Sequence, residues 1–135
     1  MNNRLFFYGT LMDGDVRRAI AGRPVAVATA SLQGYRRVPV AGRTYPMLVP
    51  CQGQRVEGLL AEDIDTRELN RLIRYEGPEY RIRTLMVQRH DGKELPALVF
   101  LARPGIAGAC HQDWELAVWQ RCHKRLFFSR KLATG

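Results

Sequence analysis

Glu76 is the side chain best placed to do chemistry. It follows Leu69, Leu72 and Ile73 at spacings of seven, four and three residues, so on a helix it shares their apolar face. It would also sit at that helix's C-terminal end, where the backbone dipole is negative. Burial and that field both raise a carboxyl pKa, toward the range where one group can accept a proton and return it near neutral pH. The same position would equally suit a buried ion pair with Arg81 or Arg83, and position alone leaves both roles open.

Tyr8-Gly9-Thr10-Leu11 is the second candidate. A glycine directly after an aromatic strand lets the chain turn so that successive N–H groups point outward, a concavity suited to a carboxylate or a developing oxyanion. Ordinary strand-ending turns share this composition, so here too the residues admit two readings.

Other reactive types are less well arranged. Cys110-His111 and Cys122-His123 suggest zinc, but their spacing fits neither a finger nor a ribbon. Neighbours on a helix diverge by about 100°, so Cys122 and His123 are badly placed to share an ion. His90, His111 and His123 are candidates for catalysis or metal binding by type, but no metal site is expected, and nothing marks a base for Cys51. Three widely spaced cysteines argue against a disulfide framework and for a reducing, cytoplasmic setting. Tyr75, Trp114 and Trp119 read as packing residues.

The elements that must position these groups follow from periodicity and punctuation. Leu5 to Tyr8 is a buried strand stopped by Gly9. A short helix follows, capped by Asp13 or Asp15, with Val16, Ala19 and Ile20 inward and Gly22 as its stop. Val25 to Tyr35, Tyr45 to Val49 and Arg55 to Ala61 read as three strands. Asp65 and Glu68 form a capping box that opens a helix through Tyr75, ended by Gly77-Pro78. Asp91-Gly92 turns a hairpin between Tyr80–Arg89 and Leu95–Ala102. Asp113 to Phe128 is a last helix with two candidate inward rows, one of Trp114, Val118 and Cys122, the other of Trp119 and Leu126. Six or seven strands and two or three helices with hairpin-length connections make an α+β fold, one domain over 1–135, on a mixed or barrel-like sheet with flanking helices.

Composition bounds the class. At 46% apolar and 25% charged residues the chain is too apolar for disorder. It shows neither a secretory leader nor an apolar run long enough to span a bilayer, so no membrane association is expected. The net charge of +8 favours anions, but the arginines are scattered rather than clustered, which argues against a nucleic-acid partner. The basic segment Lys124 to Gly135, with Leu126-Phe127-Phe128, would pack on its own sheet or on a second copy, so a monomer or a homodimer is expected.

Phe7-Tyr8-Gly9-Thr10-Leu11, Tyr45-Pro46-Met47-Leu48, Val56-Glu57-Gly58 and Tyr75-Glu76-Gly77-Pro78-Glu79-Tyr80-Arg81 occur in an order and spacing that resemble the gamma-glutamylcyclotransferase-like family. That family includes the AIG2-like and gamma-glutamylamine cyclotransferase groups. The resemblance runs from about Leu5 to Leu101. It implies a compact mixed barrel, no metal or other cofactor, and a small γ-glutamyl substrate that releases 5-oxoproline when its α-amine attacks its own γ-carbonyl. Matched residue by residue, Glu76 is the catalytic acid/base. Tyr8, Gly9, Thr10 and Leu11 form the loop that binds the γ-glutamyl group, Tyr80 lines the same cavity, and Arg81 stands beside it. Relatives often carry Asp where this chain has Ile73, which puts the hydrogen bonding around Glu76 in question. The competing readings are a non-catalytic binding or regulatory module of the same fold, and a basic nucleic-acid-binding protein.

Overall fold

The computed structural model of the protein describes residues 3–129. Five strands close into a barrel: β1 (Asn3–Phe7), β2 (Ala28–Pro39), β3 (Pro46–Ile64), β4 (Tyr80–Arg89) and β5 (Glu94–Ala102), in spatial order β1-β3-β2-β4-β5. Neighbours are antiparallel except at the closing seam, where β1 runs parallel to β5 with Leu5 opposite Leu98. Helices α1 (Gly14–Ala21), α2 (Thr66–Glu76), α3 (Leu116–Cys122) and α4 (Lys124–Phe127) pack outside, with a single 3₁₀ turn over Thr10–Met12.

Alternation along the strands sorts the apolar residues into two main cores. Phe6, Leu32, Val56, Leu60, Val87 and Val99, from all five strands, fill the barrel. Leu5, Phe7, Ile64 and Phe100 point the other way and meet Val16, Leu72 and Trp119 of the helices. Because β1 is covered on both faces, Leu5, Phe6 and Phe7 are all buried, which explains why it reads as a continuous apolar run rather than an alternating one.

The helix signals are realised locally. Asp13 caps α1, accepting from Asp15 N at 2.9 Å and Val16 N at 3.0 Å, and Gly22 ends it. Ala19, expected inward, is exposed, and Ala21 is buried instead. Asp65 and Glu68 make the capping box of α2. Glu68 is also buried, and the Arg23 guanidinium neutralises it through two charge-assisted hydrogen bonds. The hairpin at Asp91-Gly92 forms, with Arg89 N donating to Lys93 O.

Two expectations are corrected. The described residues hold five strands, not six or seven, because the expected strands at Tyr45–Val49 and Arg55–Ala61 merge, from Pro46 onward, into one 19-residue strand. Its Pro and Gly punctuation is absorbed by an irregularity: β2 moves from Gln33 to Tyr35 while β3 moves from Arg55 to Pro50, so the extra residues bulge and the long strand bends. The last helix is broken at His123 (φ −130°), which ends α3 and precedes α4. Trp119 and Phe127 turn inward, while Val118, Cys122 and Leu126 are exposed. Trp114 precedes the helix and donates its indole N–H to Thr44 O at 2.7 Å. Residues 130–135 of the basic tail lie outside the described residues. Among the described residues no helix is long and apolar enough to cross a membrane.

Gly58 sets how closely β1 approaches β3. A Cβ there would lie 2.4 Å from Phe7 O and 2.6 Å from Phe6 Cζ, so the Phe6 ring occupies the side chain's place. Gly58→Ala is expected to lower unfolding free energy by about 3 kcal/mol, since neither a backbone carbonyl nor a packed ring can yield cheaply. Urea denaturation would measure this, and a loss below 1 kcal/mol would show that the contact relaxes.

Candidate active site

β1 delivers Tyr8 to the mouth of the barrel, and the chain turns at once into the 3₁₀ turn. Met12 N donates back to Gly9 O at 2.9 Å, the first such bond of the turn, so the N–H groups of Gly9, Thr10 and Leu11 stand ahead of it. Gly9 has a negative φ (φ −117°, ψ −140°) rather than a left-handed conformation, so the turn does not rest on a left-handed glycine. Its lack of a side chain is used by Pro46, whose Cγ would lie 3.1 Å from an added Cβ.

α2 brings Glu76 to the same place from the other side. The stripe inferred from sequence is corrected at one position: Ile73 is 40% exposed, and the inward face carries Glu68, Leu72, Tyr75 and Glu76. Glu76, one helical turn after Leu72, still faces in and is half-buried. Ile73, three residues before it, lines neither of the cavities that Glu76 lines.

Glu76, Tyr8, Gly9, Thr10, Leu11 and Tyr80 line one recess of about 20 Å³, together with Phe6, Phe7, Tyr45, Pro46 and Phe100. Beside it lies a larger cavity of about 100 Å³ that shares Thr10, Tyr45, Glu76 and Tyr80 and adds Thr44, Tyr75, Glu79, Trp119 and Phe127. Five of the expected binding residues thus meet the expected acid/base in one recess. Arg81 is the exception, since it follows Tyr80 on β4, where successive side chains point to opposite faces, and it lines neither cavity.

The hydroxyls of the lining tyrosines are used to hold the wall together. Tyr8 donates to Phe100 O across the barrel mouth, and Tyr80 donates to Pro46 O at 2.6 Å. Tyr75 and Thr10 share a hydrogen bond at 2.7 Å that ties α2 to the 3₁₀ turn, and Tyr45 donates to Glu79 at 2.8 Å. Burial pushes the phenols of Tyr8, Tyr80 and Tyr75 well above their ordinary value, and the Glu76 carboxylate pushes each further. The phenols therefore stay neutral donors beside the Glu76 carboxylate. Tyr75 had read as a packing residue; its place next to Glu76 in the sequence was the signal that it belongs to the site. Phe100, Trp119 and Phe127 carried no such signal.

A closed five-stranded barrel with flanking helices, and a carboxylate and a 3₁₀ turn lining one recess, defines a small α+β barrel protein. The chain belongs to the family described as "Gamma-glutamyl cyclotransferase, AIG2-like", whose profile matches residues 5–121. It is 31% identical over 130 residues to AIG2-like protein A of Arabidopsis thaliana, covering 93% of this chain and 76% of that one. An Arabidopsis thaliana protein solved in solution superposes with a TM-score of 0.74 at 27% identity, over 94% of this chain and 86% of that chain. A solved gamma-glutamyl cyclotransferase shares the fold, with a TM-score of 0.67 at 19% identity over 76% and 68% of the two chains.

The C-terminal helices that close the larger cavity are anchored on Asp13. Its buried carboxylate accepts from Gln120 at 2.8 Å and pairs with Lys124 at 2.8 Å. Burial alone would raise its pKa, but Lys124, Gln120 and the Val16 N–H outweigh that and hold it below the usual carboxylate range. A lowered folded pKa stabilises above the unfolded value of about 3.9, and that stability is lost as pH falls through the folded value. Asp13→Asn keeps the helix cap and removes the charge. It is expected to cost about 2 kcal/mol at pH 7, with the gap from the native protein narrowing as pH falls through the lowered Asp13 pKa. Thermal unfolding at pH 7 and at progressively lower pH would measure it, and a gap independent of pH would mean the ion pair contributes nothing.

Proposed function

We propose that this protein is a γ-glutamyl cyclotransferase that converts a γ-glutamyl amide to 5-oxoproline and a free amine. The observation that carries the reading is the placement of Glu76 and the Gly9–Leu11 turn in one recess, a proton carrier facing a row of backbone donors.

The reaction is an intramolecular acyl transfer. Glu76 takes a proton from the substrate's α-ammonium, and the freed nitrogen attacks the γ-carbonyl carbon to form the ring C–N bond. The carbonyl oxygen of the resulting tetrahedral species lies against the N–H groups of the turn. Glu76 then gives its proton to the amide nitrogen and takes the surplus proton of the ring nitrogen, the old C–N bond breaks, and the amine departs. Nucleophile and electrophile belong to one molecule, so no cofactor takes part in this scheme. Holding the chain curled supplies much of the acceleration, since well-oriented intramolecular reactions reach effective molarities of about 10⁵ to 10⁸ M.

The recess is small, so it receives the reacting γ-carbonyl while the rest of the glutamyl unit lies along the turn. One chain builds the whole cavity, which suits a monomer. The free thiols of Cys51, Cys110 and Cys122 suit a reducing cytoplasm.

The test is 5-oxoproline release from a panel of γ-glutamyl amino acids, γ-glutamylamines and glutathione. The native protein should turn over at least one member, and Glu76→Gln should lose about 10²- to 10⁴-fold in kcat with its thermal unfolding unchanged. Normal turnover by the Gln variant would remove Glu76 from the mechanism. No release from any member would leave a non-catalytic binding module of the same fold.

A further inference from the structure

The turn that shares the recess with Glu76 is held by two arginines that lie outside it. Arg37, half-buried on β2, donates Nη1 to Tyr8 O at 3.0 Å, to Glu57 O at 3.2 Å and to Met12 Sδ at 3.5 Å, and Nε to Trp114 O at 3.1 Å. Its guanidinium also lies over the Trp114 ring, 5.5 Å from the centroid. Burial lowers its pKa, Asp113, Glu115 and Glu57 offset part of that effect, and Arg37 stays charged at neutral pH. Arg17, on α1, takes the far end of the turn, donating to Leu11 O at 3.0 Å and Met12 O at 3.1 Å. Between them, Gly9 O and Thr10 O accept from Met12 N and Asp13 N. Each carbonyl from Tyr8 to Met12 therefore has a donor, and the shape of the turn is fixed through its oxygens.

The Tyr8–Gly9 peptide is trans, so its N–H points opposite to its C=O, and whatever fixes the oxygen fixes the direction of the N–H. Resting on the cyclotransfer reading, we propose that Arg37 is a positioning residue for the reaction. By holding Tyr8 O it aims the Gly9 N–H at the oxygen that turns negative in the tetrahedral species, and it makes that N–H a stronger donor. The second effect arises because a cation on the carbonyl oxygen draws electron density from the N–H of the same peptide, as successive hydrogen bonds polarise one another. Arg37 lines neither the recess nor the larger cavity, so it works through this peptide and not on the ligand. Its acceptors belong to three segments: the turn, β3 and the stretch before α3. Only a planar fork of donors serves all three, which a lysine lacks. The oxyanion exists only beyond the ground state, so the contribution falls on kcat rather than on KM.

The test is kcat and KM for 5-oxoproline release from the panel amide that the native protein turns over best, in Arg37→Met, Arg37→Lys and the neighbouring Arg36→Met. Arg36 pairs with Asp113 at 2.8 Å and lines neither cavity, so its variant should keep the native values. Arg37→Met and Arg37→Lys, assayed below their own unfolding transitions, should each lose about 10- to 100-fold in kcat, with KM within about threefold of native. Native kcat in Arg37→Lys, a loss confined to KM, or a lowered unfolding temperature with native kcat and KM overturns the proposal. Should neither variant fold, NMR of the native protein decides: the Arg37 Nη protons should give resolved, exchange-protected signals, and a freely rotating guanidinium overturns the anchor. If no amide releases 5-oxoproline, cyclotransfer itself fails, and Arg37 is judged on the turn alone. The Gly9 amide resonances should then move in Arg37→Met while those of Leu60, in the barrel core, hold their place. A displaced Gly9 signal sustains the positioning of the turn, and an unmoved one overturns it.

Discussion

The close approach of β1 to β3 at Gly58 is the constraint on which the rest of the molecule rests. With Phe6 Cζ and the Phe7 carbonyl occupying the volume a side chain would need, β1 can sit in only one register against β3. That register places Phe6 inside the barrel and Phe7 against the helices. Since a slip of one residue would exchange the two faces of the strand, it also decides that Tyr8 ends at the barrel mouth and that the turn after it opens toward α2. The cavity is thus a by-product of barrel closure, and its floor is the aromatic content of β1.

Around that floor, polar groups are matched to one another before any ligand arrives. Tyr8 and Tyr80 each hand their proton to a backbone carbonyl on another strand, so these phenols brace the cavity and offer a ligand their rings and oxygen lone pairs more than their hydrogens. Such preorganisation limits what the wall can adjust to. A ligand must fit the existing dipoles, because a buried phenol that loses its carbonyl leaves both partners unsatisfied.

What could be read from sequence was what short-range chemistry decides. The Asp65–Glu68 capping box, the Asp13 cap, the Asp91-Gly92 hairpin and the inward turn of Glu76 all depend on residues within a few positions of one another. Glu76 was placed correctly although Ile73 was not, because Leu69 and Leu72 define the stripe without it. Long-range contacts were not legible. The merging of two expected strands into β3 depends on pairing with β2 across a bulge, and Phe127, beyond the break at His123, packs against both Trp119 and Tyr75. The burial of Glu68 needs Arg23, 45 residues away. Arg81 was placed beside the cavity by resemblance alone, and strand alternation turns it away.

The parallel seam between β1 and β5 has a consequence for how the chain folds. Leu5 must find Leu98, so the first strand to be synthesised has a final neighbour that is among the last. Until β5 exists, Leu5, Phe6 and Phe7 can be covered on the β3 side only, and the nascent chain carries an apolar edge through most of its synthesis. Such non-local closure is intrinsically slow, since the entropy of a long loop is lost before any contact rewards it. The hairpins β2–β3 and β4–β5 can form early from sequence neighbours, leaving the capture of β1 as the late event that both seals the barrel and creates the cavity. Ligand-binding competence and resistance to aggregation would then arise together, at the end of folding, when the edge disappears.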